Sequence, residues 1–299
     1  MSFLCNSGMS GAYVMASNSN FLYVLNTISM TVSRYDRATG SLNFTGFACT
    51  LDSSGSYGGI AIDVNYIYVV DRASNLVKRY NINNGVKDTT VFMCNTSMST
   101  PIGVAVDANF IYVANYGNGS ITRYDKATGA ANTSGFSCSG ISSCCFIAID
   151  SANNYFYVSR ETATNAITRC DIATGTIASS GFTCNTGMNG VNQIVFDATY
   201  LYAINTAGST VTRYTKSSGT QNSTGFSCSV PASSYGLTSD ALFLFVSNYS
   251  ANTITRYAKG SGSTDSTSID TSSDSSNMLI CSGMSGNTNH PSMTGGMNG

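Results

Sequence analysis

The groups able to do chemistry in this chain are few and unevenly placed. The one histidine, His290, stands among the last ten residues, so the body of the chain offers no imidazole as general base or metal ligand. That weighs against hydrolase, lyase and metal-dependent reactions; no catalytic residue, metal or cofactor is assigned, and the chain reads as a non-enzyme. The single glutamate, Glu161, follows Arg160, and the two read as an exposed ion pair. Of the ten cysteines, seven (Cys5, Cys49, Cys94, Cys138, Cys184, Cys228 and Cys281) each come two residues after an aromatic or aliphatic residue. Without CxxC pairs they do not read as a zinc site, and they are expected to serve as small buried hydrophobes.

Three cysteines break that series: Cys144, Cys145 and Cys170. Cys170 stands where five equivalent segments carry Tyr, and the strand expected beside it carries Cys184, so a cross-strand disulfide Cys170 to Cys184 is expected. Two polar series also recur. Asp63, Asp107, Asp150, Asp197 and Asp240, with Asn18 in the first copy, follow one apolar run; Arg34, Arg79, Arg123, Arg169, Arg213 and Arg256 lie within another. Aspartates that each precede a turn read as turn formers using their own side chains. The arginines, set between apolar neighbours, need a carboxylate or carbonyl partner to offset desolvation, and Asp-to-Arg pairing within or between repeats is expected.

What positions these residues is a repeat, seen best in GVAVDANFIYVANYGNGSITRYDKATG at 103 to 129. Short β-favouring runs alternate with Asp, Asn and Gly turns, and no window carries apolar residues at helical spacing. With the run SGFSC at 134 to 138, the unit reads as four short antiparallel strands. Its second run starts at 21, 66, 110, 155, 200 and 243, a period of about 45 residues, the value for one propeller blade. The expected fold is therefore all-β, a six-bladed β-propeller of four-stranded antiparallel blades, with an open β-solenoid as the alternative. The chain reads as one domain over 1 to 286. A Ser/Thr/Gly-rich arm at 259 to 277 leads to a terminal strand at 278 to 282, and a low-complexity tail occupies 287 to 299. In such a ring the aspartates admit a second reading, an acidic collar for a cation at the channel mouth.

The stretches PIGVAVD at 101 to 107, FIYVAN at 110 to 115 and SITRYDKATG at 120 to 129 resemble NHL and YVTN-type β-propeller repeats, from about residue 12 to about 258. The resemblance implies the propeller fold. It leaves function open, because that architecture carries enzymes, binding modules and scaffolds alike.

Charged residues make up 10% of the chain against roughly 25% in an average soluble domain, which points to an extracellular or cell-surface setting. The opening residues MSFLCNSG lack a basic region followed by an apolar core, so no signal peptide is read there. With net charge −1 and no basic cluster, nucleic acid and anionic membrane are poor partners, and no run approaches the roughly 20 apolar residues of a membrane span. Sequons at Asn43, Asn95, Asn118, Asn132, Asn222 and Asn248 are candidate glycosylation sites, Asn118 foremost because its turn is flanked by glycine.

The two ends carry one motif too many. FLCNSGMSG at 3 to 11 and LICSGMSG at 279 to 286 repeat the outer-strand motif FTCNTGMNG at 182 to 190, giving seven outer strands for six sheets. Connection order seats Phe3, Leu4 and Cys5 on the sixth blade. The copy at Leu279, Ile280 and Cys281 then competes for that place or reaches another molecule. An unpaired apolar strand seeks a partner, and donor and acceptor surfaces that differ build an open polymer. The function expected is a non-enzymatic extracellular structural protein that assembles head to tail into filaments. The alternative is a monomeric propeller binding a glycan or other neutral ligand on its loop face.

Overall fold

The computed structural model describes residues 3–52, 56–90, 92–161 and 165–265. Six antiparallel sheets follow one another along the chain. Their inner strands are Ala12–Ser17, Tyr57–Ile62, Pro101–Val106, Cys144–Asp150, Val191–Phe196 and Ser234–Ser239, each packed on its two neighbours, with the first against the sixth. This is a six-bladed β-propeller. In every blade the second strand, such as Phe110–Asn115, is buried along nearly its whole length, because neighbouring blades cover both faces. Consecutive apolar residues in these runs thus mark burial on two sides.

The fourth strand is shorter than the sequence suggests. It is a two-residue strand in blades one and five, Cys49–Thr50 and Cys228–Ser229. In blades two, three and four it shrinks to a single bridge at Cys94, Cys138 or Cys184. In blades three, four and five a glycine three residues before the cysteine, Gly135, Gly181 or Gly225, has φ between +63° and +65°, which turns the chain ahead of the cysteine rather than extending it.

Blade six is completed by the N-terminal segment, as connection order predicts. Ile254 donates its backbone N–H to the Cys5 carbonyl at 2.9 Å, matching the 2.9 Å bond from Ile121 to Cys138 in blade three. Leu4 donates to Thr39 of blade one at 2.7 Å, the counterpart of Ser137 to Thr174 at 2.8 Å. Phe3 is fully buried against Phe245, with ring centroids 5.5 Å apart. Leu279, Ile280 and Cys281 lie outside the described residues, as does the tail.

The expected arm at 259 to 277 requires a correction at its start. Lys259 forms an ion pair with Asp197 at 3.0 Å, Thr264 bridges Tyr257, and Asp265 pairs with Arg256. Residues 259 to 265 therefore belong to blade six, and the remainder lies outside the described residues.

Near the axis one side chain joins the inner strands of three blades. Gln193 of blade five accepts from the backbone N–H groups of Leu237 at 2.8 Å and Met15 at 3.3 Å, and donates to the Met15 carbonyl at 2.7 Å. It thereby ties blades five, six and one together. An inner-strand bulge occurs in every blade, for example between Pro101 and Gly103, and brings backbones close. A Cβ on Gly103 would lie 2.2 Å from the Cys145 carbonyl oxygen of the next blade.

Candidate functional site

The arginine series forms clamps, one per blade. The Arg123 guanidinium lies between the Phe110 and Phe136 rings, 4.5 and 4.6 Å from their centroids. It donates to Asn132 Oδ1 and the Ser134 carbonyl, both at 2.9 Å, and to the Ala173 carbonyl of blade four at 3.2 Å. Arg34, Arg79, Arg169 and Arg213 repeat the two-ring arrangement, and Arg256 does so with Phe243 and Phe3. The N-terminal segment thus supplies blade six with its second ring.

The expected pairing of the Asp series with the Arg series does not form. Four of the five aspartates pair instead with a cation just after the third strand of the following blade: Lys126 with Asp63 at 3.3 Å, Lys216 with Asp150 at 2.8 Å, Lys259 with Asp197 at 3.0 Å and Arg37 with Asp240 at 3.8 Å. The Oδ1 atoms of Asp63, Asp107, Asp197 and Asp240 cap turns, as that of Asp107 does for the N–H groups of Asn109 and Phe110 at 2.8 and 2.7 Å, whereas Asp150 Oδ2 accepts from Asn153 Nδ2 at 2.9 Å. Burial pushes the Asp63 carboxyl up, but the Asn65 and Tyr66 amides, the Tyr68 hydroxyl and Lys126 outweigh it and hold the group below its ordinary value. A carboxylate so engaged staples blades together, and among the described residues no group of three or more His, Cys, Asp or Glu is placed to hold a metal ion.

Cys170 and Cys184 are both free thiols, and the ladder explains why they do not join. Cys184 lies opposite Ile167, while Cys170 lies opposite Ile177. The sequence placed the right two strands side by side with the wrong register. Cys170 Sγ meets Cys138 Sγ of blade three at 3.9 Å instead. The expected Arg160 to Glu161 pair is also absent: Arg160 donates to the Ser142 hydroxyl at 2.8 Å, and Glu161 Oε2 lies 3.8 Å from Cys145 Sγ.

The sequons divide by environment. Asn248 is 3% exposed and donates its Nδ2 to the Ala232 carbonyl at 2.9 Å, so it is removed from the glycosylation candidates. Asn43, Asn132 and Asn222 accept from the clamped Arg34, Arg123 and Arg213. Their sequons are a by-product of the clamp, whose second acceptor is the carbonyl of the Ser or Thr two residues on. Asn95 and Asn118 are exposed.

A tyrosine-lined mouth of about 580 Å³ lies among blades one, two and six at the end where their inner strands begin, bounded by Tyr13, Thr27, Met30, Ser56, Tyr57, Tyr235 and Tyr249. Clefts between neighbouring blades on the opposite, aspartate-bearing face, such as that between Tyr157 and Lys216, are interstices of the repeat. The Tyr13 and Tyr235 rings lie 5.2 Å apart at 45°, and Tyr235 meets Tyr249 edge-on at 6.0 Å. Burial pushes the Tyr13 phenol up to about 12, with Cys145, Glu161 and Tyr235 adding to the effect and Arg72 opposing it. Tyr13 of blade one packs against the apolar cluster that contains Cys145 of blade four. Burial, reinforced by Glu161, also raises the Cys145 thiol to about 12. A thiol held protonated at neutral pH is a poor nucleophile. What the mouth does offer is aromatic faces with hydroxyl rims, a surface for neutral ligands in the usual volume range of binding sites. The sequence points to a loop face for a neutral ligand but does not single out these tyrosines. The available signal was Tyr13 and Tyr235 at an inner-strand position held elsewhere by Gly58, Ile102, Cys145 and Asn192.

No protein-family model matches the chain, and no curated protein matches it. Among solved structures, a chain of a nidogen/laminin complex is similar, with a TM-score of 0.67 and 14% identity over 82% of this chain and 91% of that one. At that identity the likeness shows the fold alone. No helix among the described residues is long and apolar enough to cross a membrane.

Proposed function

We propose that this chain is a non-enzymatic extracellular structural protein that assembles head to tail into filaments by exchanging a closing strand, and that its repeats are of the NHL and YVTN type. One observation carries the reading. The fourth-strand place of blade six is filled by Phe3 to Cys5 of the same chain, in register with the other five blades. A second copy of that motif, beginning Leu279, Ile280, Cys281, is one more than the six fourth-strand places of the ring. Leu279 and Ile280 are apolar like Phe3 and Leu4, so the copy suits the seat of a neighbouring molecule from which residues 3 to 5 have been displaced. Repetition of that contact is heterologous and propagates. A chain with only 10% charged residues presents little repulsion between subunits.

Light scattering and negative-stain imaging of the purified full chain test this. Polymers that disappear when residues 266 to 299 are removed are the expected result. Uniform particles of 31.3 kDa from the full chain, across concentrations in the micromolar range and above, refute it.

The mouth favours a second reading, a site for a neutral glycan. The rings of Tyr13 and Tyr235 suit the CH faces of sugars, and the hydroxyls of Tyr, Thr27 and Ser56 suit their OH groups. Calorimetric titration with neutral oligosaccharides should give binding that Tyr235→Ala weakens at least tenfold. An unchanged affinity in that variant excludes the mouth.

A further inference from the structure

The cysteines and tyrosines at blade boundaries form a repeating pair that has one exception. Each third-strand tyrosine shares a buried apolar cluster with the outer-strand cysteine of the preceding blade: Tyr35 with Cys5, Tyr80 with Cys49, Tyr124 with Cys94, Tyr214 with Cys184 and Tyr257 with Cys228. Three of these tyrosines also bind the carbonyl two residues past that cysteine, as Tyr214 does to Thr186 at 2.8 Å and Tyr35 to Ser7 at 2.7 Å. At the boundary between blades three and four the tyrosine is replaced by Cys170, whose sulfur lies 3.9 Å from that of Cys138. The two residues are 4% and 0% exposed and share one apolar cluster.

We infer that Cys138 and Cys170 are a disulfide-forming pair, an inter-blade covalent link that the other five boundaries cannot make. A disulfide requires the sulfurs at about 2.05 Å, an approach of about 2 Å that falls within the swing of two χ1 rotations. Outer-strand cysteines of successive blades do not meet in this way, because the residue touching each of them belongs to the third strand of the next blade. The link closes a loop between residues 32 positions apart.

The chemistry is an exchange with a low-molecular-weight disulfide such as oxidised glutathione. One cysteine thiolate attacks the reagent and releases one glutathione. The second thiolate then attacks the mixed disulfide, forming the Cys138 to Cys170 bond and releasing the other glutathione. Two electrons and two protons pass to the two glutathione molecules released. Contact with Cys138, together with burial, raises the Cys170 thiol well above its ordinary range, so the folded ring exchanges slowly. The bond is expected to form while the chain folds and then to stay protected from reductant.

The test is refolding of the full chain in a glutathione redox buffer, alkylation under denaturing non-reducing conditions, and fragment-ion mapping of the peptides. The expected result is a Cys138 to Cys170 link and two fewer alkylated thiols than in the fully reduced chain. The link persists in Cys184→Ser and is lost in Cys138→Ser and in Cys170→Tyr, which restores the residue of the other blades. Oxidation raises the urea midpoint of the parent chain but not that of Cys170→Tyr. Complete alkylation of both cysteines after oxidative refolding overturns the inference, as does a link joining Cys170 to Cys184 or Cys144.

Discussion

A guanidinium held between two aromatic rings and three oxygens cannot be shortened without leaving those oxygens unmet. For Arg123→Ala the lost stacking, the lost hydrogen bonds and the void between Phe110 and Phe136 together are expected to cost about 2–4 kcal/mol. Arg72→Ala, at an exposed position, is expected to change stability by less than about 0.5 kcal/mol. Arg123→Lys should fall between, since an ammonium keeps the charge but lacks the planar fork. Urea midpoints of the three variants at neutral pH check the order, and equal losses for Arg123→Ala and Arg72→Ala contradict it. The need of these arginines for carbonyl or carboxylate partners was legible in the sequence, because each sits among strand residues. The rings were legible only as a spacing: Phe110 and Phe136 each stand 13 residues from Arg123, a distance that means contact only once strands two, three and four are folded onto one another.

Between neighbouring blades, the Asp and Lys staples join elements that are remote in sequence, which is why the turn-forming half of the aspartate's role could be read and its partner could not. Residue choice follows the partner across one boundary. Asn18 of blade one replaces Asp, and Ile82 of blade two holds the place that Lys126 takes in blade three, as their shared bond to the preceding inter-strand turn shows. Asp107, whose matching position is Ile172, is held by the Tyr112 hydroxyl at 2.9 Å. The acid response follows from the sign of the shift. Asp63 and Asp197 have depressed folded-state values, so their contribution is present above the unfolded value of about 3.9 and fades as pH falls through the lower folded one. Lys126→Met removes one cause of that depression. The variant should be less stable by about 1 kcal/mol at neutral pH, and the two stability curves should converge between about pH 4 and pH 2. A gap of constant size down to pH 2 would assign the loss to packing of the lysine stem rather than to the ion pair.

At the scale of the whole molecule, the six-blade ring followed from the period and its closure by residues 3 to 5 followed from connection order, whereas the tyrosine mouth left no periodic trace. Tyr13 and Cys145 hold the same inner-strand position in blades one and four, and the packing of Tyr13 against the apolar cluster that contains Cys145 depends on closure of the ring, which the spacing of the repeat does not reveal. Closure itself sets up a test of whether the two copies of the closing motif are interchangeable. Removing residues 266 to 299 leaves Phe3, Cys5 and Asp265 in place, so the shortened chain should unfold cooperatively within a few degrees of the full one. Removing residues 1 to 5 empties a seat that buries a phenylalanine and a cysteine and supplies a ring to the Arg256 clamp. If the copy at 279 to 281 can take that seat, in the same ring or from a neighbour, this second deletion is tolerated and the loss appears only when both ends are removed. The cost is then strongly non-additive, as expected for two segments serving one site. Thermal unfolding of the four chains, parent, each single deletion and the double, decides it. A chain lacking residues 1 to 5 that is as crippled as the double deletion means that the terminal copy cannot replace the N-terminal strand, and strand exchange loses its acceptor.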